Sequence, residues 1–292
     1  MNLVDKQLVQ RRRKKRLFSN RIMRQIFFSA SVFGIVVLAV LLYRIFREGL
    51  PYLDIDFLTS FASRFPEEAG IKAAITGSVW LMVVTAPVSV VLGVGTAIYL
   101  EEYAKENMFT RFIRMNISNL AGVPSVVFGL LGLTVFVRLM EMGRSIIAGG
   151  FTMSLLILPI IVVASQEAIR AIPNSQYEAS YAMGATKWQT IRRVVLPAAL
   201  PGILTGGILA LSRAIGETAP LLMIGALSFI AYLPENIWSG FTVLPIQIFN
   251  WTARPQEEFH LVASTGIIIL LFILLLMNSV AVLIRHKYSK RY

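Results

Sequence analysis

Six stretches of this chain are apolar over about twenty residues or more, at approximately 26–46, 73–99, 116–137, 146–168, 199–230 and 261–284. A bilayer core about 30 Å thick is crossed by roughly 20 residues of helix. Inside lipid, a helix is one of only two structures that satisfy every backbone donor and acceptor internally. Runs of this length predict an all-α polytopic membrane protein with six transmembrane helices. The rest of the composition agrees. Charged residues make up 15% of the 292-residue chain, against roughly 25% in a soluble domain, and the mean hydropathy is +0.68. A disordered chain, a coiled coil and a collagen are excluded. The first run is too long for a cleaved leader and no small-residue cleavage site follows Phe46, so it reads as a span.

The scarce charges are lopsided, with 28 Lys and Arg against 16 Asp and Glu. Lys6, Arg11, Arg12, Arg13, Lys14, Lys15, Arg16, Arg21 and Arg24 precede the first run. Lys105, Arg111 and Arg114 follow the second, Arg170, Lys187, Arg192 and Arg193 follow the fourth, and Arg285, Lys287, Lys290 and Arg291 end the chain. These 20 basic residues share one side of a six-span layout, whereas the opposite loops hold only Arg44, Arg47, Arg64, Lys72, Arg138, Arg144 and Arg254. Basic loops stay in the cytoplasm, so both termini are expected there. The expected organisation is a basic cytoplasmic segment at 1–25, a membrane domain at 26–284 and a cytoplasmic tail at 285–292. The run RRRKKR at 11–16 also fits a nucleic-acid patch. Its place just before a span favours a topology anchor lying against anionic lipid, with no nucleic acid as partner.

Several chemistries are absent. There is no cysteine and there are only two histidines, His260 and His286, so no metal site of that kind and no thiol nucleophile is available. No phosphate-binding Gly-x-x-x-x-Gly-Lys loop occurs, and no nucleophile–base pair stands at membrane depth. The expectation is a protein that is not an enzyme, with no catalytic residue, metal or cofactor.

The connection at about 169–198 is too long for a simple helix linker, which usually takes 2–8 residues. Gln176 to Met183 contains no breaker and reads as a short helix, with Asn174 or Ser175 as its cap. Gly184 supplies a stop, and a second helix is expected from about Thr186 to Leu196. Tyr177, Tyr181 and Trp188 give aromatic surface, and Ile191, Val194 and Val195 form an apolar stripe at helical spacing. Such a helix pair suits a docking element or an interfacial pair lying on lipid headgroups. Within it, Glu178-Ala179-Ser180, Gly184 and Leu196-Pro197 closely resemble the EAA loop of ABC-importer membrane subunits. The spacings agree, and Ser180 and Val194 are conservative departures. The resemblance implies a MetI-like permease fold and a coupling helix seated on a cytoplasmic ATPase. It gives Glu178 a polar docking role, Ala179 a close-packing role and Gly184 the turn.

With 20 basic residues assigned to one side and seven to the other, the one that remains is Arg213, inside the fifth run, with Glu217 four positions on. That spacing puts both on one helical face. Each charge costs on the order of 2.5–3.5 kcal/mol at mid-bilayer, so the pair must face protein or water. Gly202, Gly206, Ala210, Ala214 and Thr218 place a small residue at every fourth position, a ridge for close helix packing. Pro201 and Pro220 predict a bend or early stop. The pair either neutralises itself and locks packing, or Arg213 compensates a passing anion through its planar fork.

The stretch Ser212-Arg213-Ala214-Ile215-Gly216-Glu217-Thr218-Ala219-Pro220-Leu221-Leu222 resembles the fifth span of phosphate-importer permeases, the PstA type in particular. That likeness implies a substrate pathway through Arg213, Glu217 and Thr218, with Arg170 a weaker candidate that also reads as a snorkelling topology charge. It implies as partners a second homologous permease of the PstC type, a cytoplasmic ATPase dimer and an extracytoplasmic phosphate-binding protein, in a bacterial-type inner membrane. Another oxyanion such as molybdate or sulfate, or a secondary anion transporter, is the alternative. Lesser marks are Pro87, Pro124 and Pro159 within spans and a glycine-rich stretch from Gly122 to Gly132, read as mobile or closely packed. Outer loops 47–72 and 231–260 carry Asp54, Asp56, Glu67, Glu68, Glu235, Glu257 and Glu258, as solvated surface or as a seat for the binding protein.

Overall fold

A computed structural model of the chain describes residues 6–226 and 229–288, with side chains from residue 16 to residue 286 among them. Every regular element in that set is helical. Of the basic anchor at 11–16, only the Arg16 side chain is described. Lys287, Lys290 and Arg291 of the expected tail lie outside the described side chains.

The first apolar run lies within α1 (Lys6–Gly49). From Arg16 to Tyr52 its most apolar window is not covered by the rest of the chain, which leaves that surface to lipid or a neighbouring subunit. It is anchored at its far end. A Cβ on Gly49 would lie 2.7 Å from the backbone of Ser264 and Thr265 in α12 (Glu257–Tyr288), and the Thr265 hydroxyl donates to the Gly49 carbonyl at 2.8 Å. Beyond α1, the Asp54 carboxylate accepts from the Phe57 backbone N–H and caps the short α2 (Ile55–Thr59). Phe57 packs on Trp251 of α11 (Leu244–Thr252), ring centroids 5.8 Å apart. This end of the bundle is therefore closed by its own small apolar cluster.

The centre of the bundle is α6 (Ile146–Arg170), packed between α3 (Lys72–Ile98) and α9 (Leu196–Gly216). Small residues set these approaches. A Cβ on Gly150 would meet Val84, and one on Gly93 would meet Ile161. Buried hydroxyls then pair within the apolar contact. Thr85 donates to the Gly150 carbonyl at 3.3 Å and Ser154 to the Thr85 carbonyl at 3.2 Å. On the other side the expected small-residue ridge is present as far as Ala214, and Thr218 lies beyond the end of α9. A Cβ on Gly202 or Gly206 would fall 2.6 or 2.2 Å from the Cβ of Ala168 or Ala164, and Ala210 and Ala214 are buried beside them. Pro87 and Pro159 are accommodated inside continuous helices.

The third run is not one continuous helix over 116–137 as expected. It splits into α4 (Met108–Leu120) and α5 (Ser125–Gly132), which continues as a π-helical segment to Leu139, with a 106° bend between them. Asn116, Ser118, Asn119 and Gly122 weaken the helix ahead of Pro124, and proline drives the residue before it out of helical conformation. The glycines that follow are packing positions: a Cβ on Gly129 would meet Pro220, and one on Gly132 would meet Thr152. The fifth run likewise breaks. α9 ends at Gly216, Glu217 is extended, and α10 (Ala219–Ile224) starts anew one residue before Pro220, the early stop that the proline predicted. Among the described residues, five helical stretches are long and apolar enough to cross a membrane, and the bent pair makes a sixth.

Candidate functional site

The loop after α6 folds as a helical hairpin. α7 (Asn174–Ala182) starts directly after Pro173, so Asn174 is its first residue and not its cap. Gly184 takes φ +79°, a left-handed conformation that costs a residue with a Cβ about 1–2 kcal/mol. Thr186 then opens α8 (Lys187–Thr190) with a reciprocal capping box to Gln189. The second helix does not stop at Leu196 as expected. A π-helical turn over Ile191–Val195 carries it into α9, giving one continuous stretch from Lys187 to Gly216. Ile191 and Val195 are buried, whereas Val194 is only half-buried.

The hairpin presents its tip outward. Glu178, Ala179, Tyr181, Met183 and Trp188 are exposed, Met183 by 88%. Ala179 therefore contributes no close packing within the chain. Ser180 faces inward, its hydroxyl bonded to that of Thr190 at 2.9 Å, which ties α7 to α8. Leu196 packs into the apolar cluster at this end of the bundle, and Pro197 lies in the first turn of α9.

Sequence reasoning missed what holds the hairpin from behind. At the end of α3 the chain forms a π-helical turn, Tyr99–Tyr103. Glu101 accepts a two-point contact from Arg170, at 2.8 Å from both Nε and Nη2, and a third bond from Gln166 Nε2 at 2.7 Å. Arg114 of α4 stands 3.7 Å from the same carboxylate and also donates to the Leu100 carbonyl. Glu102 accepts from the Tyr177 hydroxyl at 2.8 Å, and Lys187 sits 5.0 Å over the Tyr103 ring. Burial and the neighbouring Glu102 carboxylate raise the Tyr177 hydroxyl well above the usual tyrosine range. Arg170, expected as a weak pathway residue, has its guanidinium committed to Glu101 and Glu167. The available signal was charge sign, since Glu101 and Glu102 are acidic on the side richest in Lys and Arg.

The intramembrane pair is formed as expected, by a different backbone. Arg213 Nε donates to Glu217 Oε1 at 3.3 Å across the end of α9, not along an unbroken helix. The Arg213 side chain is 46% exposed and Glu217 is 21% exposed. Exposed Leu209, Arg213 and Gly216 line one face of the second half of α9, beside buried Ala210 and Ala214. Arg213 lies about 20 Å along α9 from Ala199 at 1.5 Å per residue. Thr218 sits at the break, half-buried, and its side chain makes no cap for α10. Unwound backbone at membrane depth occurs where it is buried in protein or lines a water-filled cavity.

A multi-pass α-helical bundle with an exposed helical hairpin and a charged helix break fits a membrane transport subunit. The chain belongs to the family of binding-protein-dependent transport system inner membrane components, whose pattern matches residues 89–290. It is 31% identical over 264 residues to the probable ABC transporter permease protein YqgI of Bacillus subtilis, covering 86% of this chain and 90% of that one. It is 32% identical over 269 residues to the phosphate transport system permease protein PstA of Haemophilus influenzae, covering 92% and 94%. Among solved structures, a bacterial ABC transporter involved in importing the acidic polysaccharide alginate superposes with a TM-score of 0.66 at 15% identity, over 94% of this chain and 100% of that one. An inward-facing MetNI methionine ABC transporter superposes with a TM-score of 0.62 at 19% identity, over 74% and 95%. These two likenesses establish a shared fold.

Proposed function

We propose that the chain is a membrane-spanning permease subunit of an ATP-driven importer of inorganic phosphate, in a bacterial-type inner membrane with both termini cytoplasmic. The observation that carries the substrate is Arg213, a partly exposed guanidinium in the last turn of α9, at a helix break. Relatives named as phosphate transport permeases over most of their length support the same reading. Arg213 offers a phosphate oxyanion paired hydrogen bonds. Glu217 holds the guanidinium when the pathway is empty, and Thr218 adds a hydroxyl. A second homologous permease supplies the other half of the pathway. The exposed hairpin tip around Gly184 seats on a cytoplasmic ATPase dimer, and the acidic outer loops receive a phosphate-binding protein. The chain hydrolyses nothing itself.

The test is uptake of labelled phosphate by the reconstituted complex. Arg213→Gln is expected to cut uptake at least tenfold with all subunits still co-purifying. Loss of assembly instead assigns the pair to packing. Competition by molybdate or sulfate at concentrations equal to phosphate replaces phosphate with another oxyanion as the cargo.

A further inference from the structure

We infer that Glu101, Glu102 and Tyr103 form a clasp that carries movement of the docking hairpin to α3 and α4, a route separate from the covalent one through α6 and α9. The inference rests on the reading above that the hairpin docks on an ATPase. Three consecutive residues of one π-helical turn each hold a different element. Glu101 holds the end of α6 through Arg170 and Gln166, Glu102 holds α7 through Tyr177, and Tyr103 holds α8 through Lys187. A π-helical turn displaces the residues after it from regular helical phase. Here that places three successive side chains on one grip.

The clasp also reaches α4. Arg114 bridges Glu101, at 3.7 Å, and Glu106, at 3.0 Å, and donates to the Leu100 carbonyl. From α4 the chain turns through Pro124 into α5, and α5 meets α10 where Gly129 leaves no room for a Cβ against Pro220. Pro220 lies three residues past Glu217. A displacement of the hairpin is thus passed by direct polar contacts to α3 and α4, and then by close packing to the break that bears Arg213. Without the clasp, α7 and α8 act on α3 and α4 only through the chain and through the apolar cluster around Leu100 and Val195, which has no directional contacts to fix its register. Glu101, Glu102, Tyr103, Arg114 and Tyr177 are in this sense positioning residues, acting through the helices they hold.

The experiment uses the full importer in proteoliposomes, with ATP hydrolysis and phosphate uptake measured on the same samples. Glu101→Gln and, more gently, Tyr177→Phe are expected to keep the ATPase bound and hydrolysing while phosphate moved per ATP falls about fivefold or more, the lower end of typical coupling between sites. A second readout does not depend on the cargo. The chain has no cysteine, so spin labels on Lys105→Cys, just past the clasp, and Leu139→Cys report the nucleotide-dependent distance change across the bundle, which both variants should diminish. An unchanged ratio and an unchanged distance response in Tyr177→Phe and Glu101→Gln overturn the clasp. So does a proportional fall of uptake and hydrolysis, which marks simple loss of docking. Failure of the wild-type complex to take up phosphate while its distance response remains nucleotide-dependent overturns the cargo alone, and the variants still decide the clasp by distance. An ATPase that never binds the wild-type chain overturns both.

Discussion

Gly184 separates two reasons for which a docking loop needs glycine, and a four-member series distinguishes them. Its φ is +79°, and nothing lies within 4 Å of the position a Cβ would take. Inside the chain, then, Gly184→Ala meets no steric obstacle and carries only the torsional cost of the left-handed conformation, about 1–2 kcal/mol. If the hairpin must hold that turn to dock, the cost appears as a 5–30-fold weaker association with the ATPase. Asn tolerates the left-handed region better than Ala, while a β-branched residue there is an outlier. Torsion therefore ranks affinity as Gly184, then Gly184→Asn, then Gly184→Ala, then Gly184→Val. Crowding by the partner ranks it by size, with Gly184→Ala the mildest change and Gly184→Asn close to Gly184→Val. The assay is titration of purified ATPase onto the permease pair in nanodiscs. Binding of Gly184→Asn weaker than that of Gly184→Ala refutes the torsional reasoning, and undiminished binding of Gly184→Val refutes any need for the turn.

Close packing of α6 and α9 gives a prediction internal to the chain. Gly206→Ala places a methyl 2.2 Å from Ala164 Cβ, so overpacking should cost about 1–3 kcal/mol, and Ala164→Gly should restore most of it. Thermal unfolding of the detergent-purified complex checks both. Tyr177 is held above the usual tyrosine range by burial and Glu102. A raised pKa favours the protonated, folded form, so the contribution is complete below about pH 10 and declines as pH rises toward the folded value. Subtracting the tyrosinate absorbance curve of Tyr177→Phe from that of wild type should leave one phenol titrating later than the rest. A difference curve centred near pH 10 would show that the hydroxyl is not held by Glu102.

What could be read in the sequence depended on range. The apolar runs are local, and each falls on helical structure, though the third and fifth are broken in two; the left-handed turn at Gly184 and the stop near Pro220 rest on single residues with strong backbone preferences. Pro124 shows where such reading fails. Pro87 and Pro159 have the same intrinsic effect yet stay inside helices, in runs of mostly apolar neighbours with no glycine just ahead of the proline. Pro124 follows Asn116, Ser118, Asn119 and Gly122, and those polar residues let the chain turn by 106°. The continuity of α8 into α9 was hidden for the opposite reason, since the π-helical turn at Ile191–Val195 has no compositional mark. Glu101 meets Arg170 across 69 positions and Glu102 meets Tyr177 across 75. No local pattern encodes such pairings.

The geometry also bears on which of the two roles open for Arg213 and Glu217 the pair can fill. A pair that locks packing joins two elements that would otherwise separate. Here Gly202 meets Ala168 and Gly206 meets Ala164 in the α6–α9 contact, with Ala210 and Ala214 buried further along α9, and the pair makes no part of these contacts. What the pair spans is the end of its own helix, from Arg213 in the last turn of α9 to Glu217 just past it. Only Nε of the guanidinium is engaged, at 3.3 Å, and among the described residues its Nη atoms have no partner. An exposed pair of this kind contributes little to stability, on the order of 0–1 kcal/mol. Keeping an arginine at membrane depth costs more than that, about 2.5–3.5 kcal/mol on insertion scales. The balance is negative for a structural pair taken alone, and a ligand that used the free edge of the guanidinium would offset it. An oxyanion has the charge and the paired acceptors to do so.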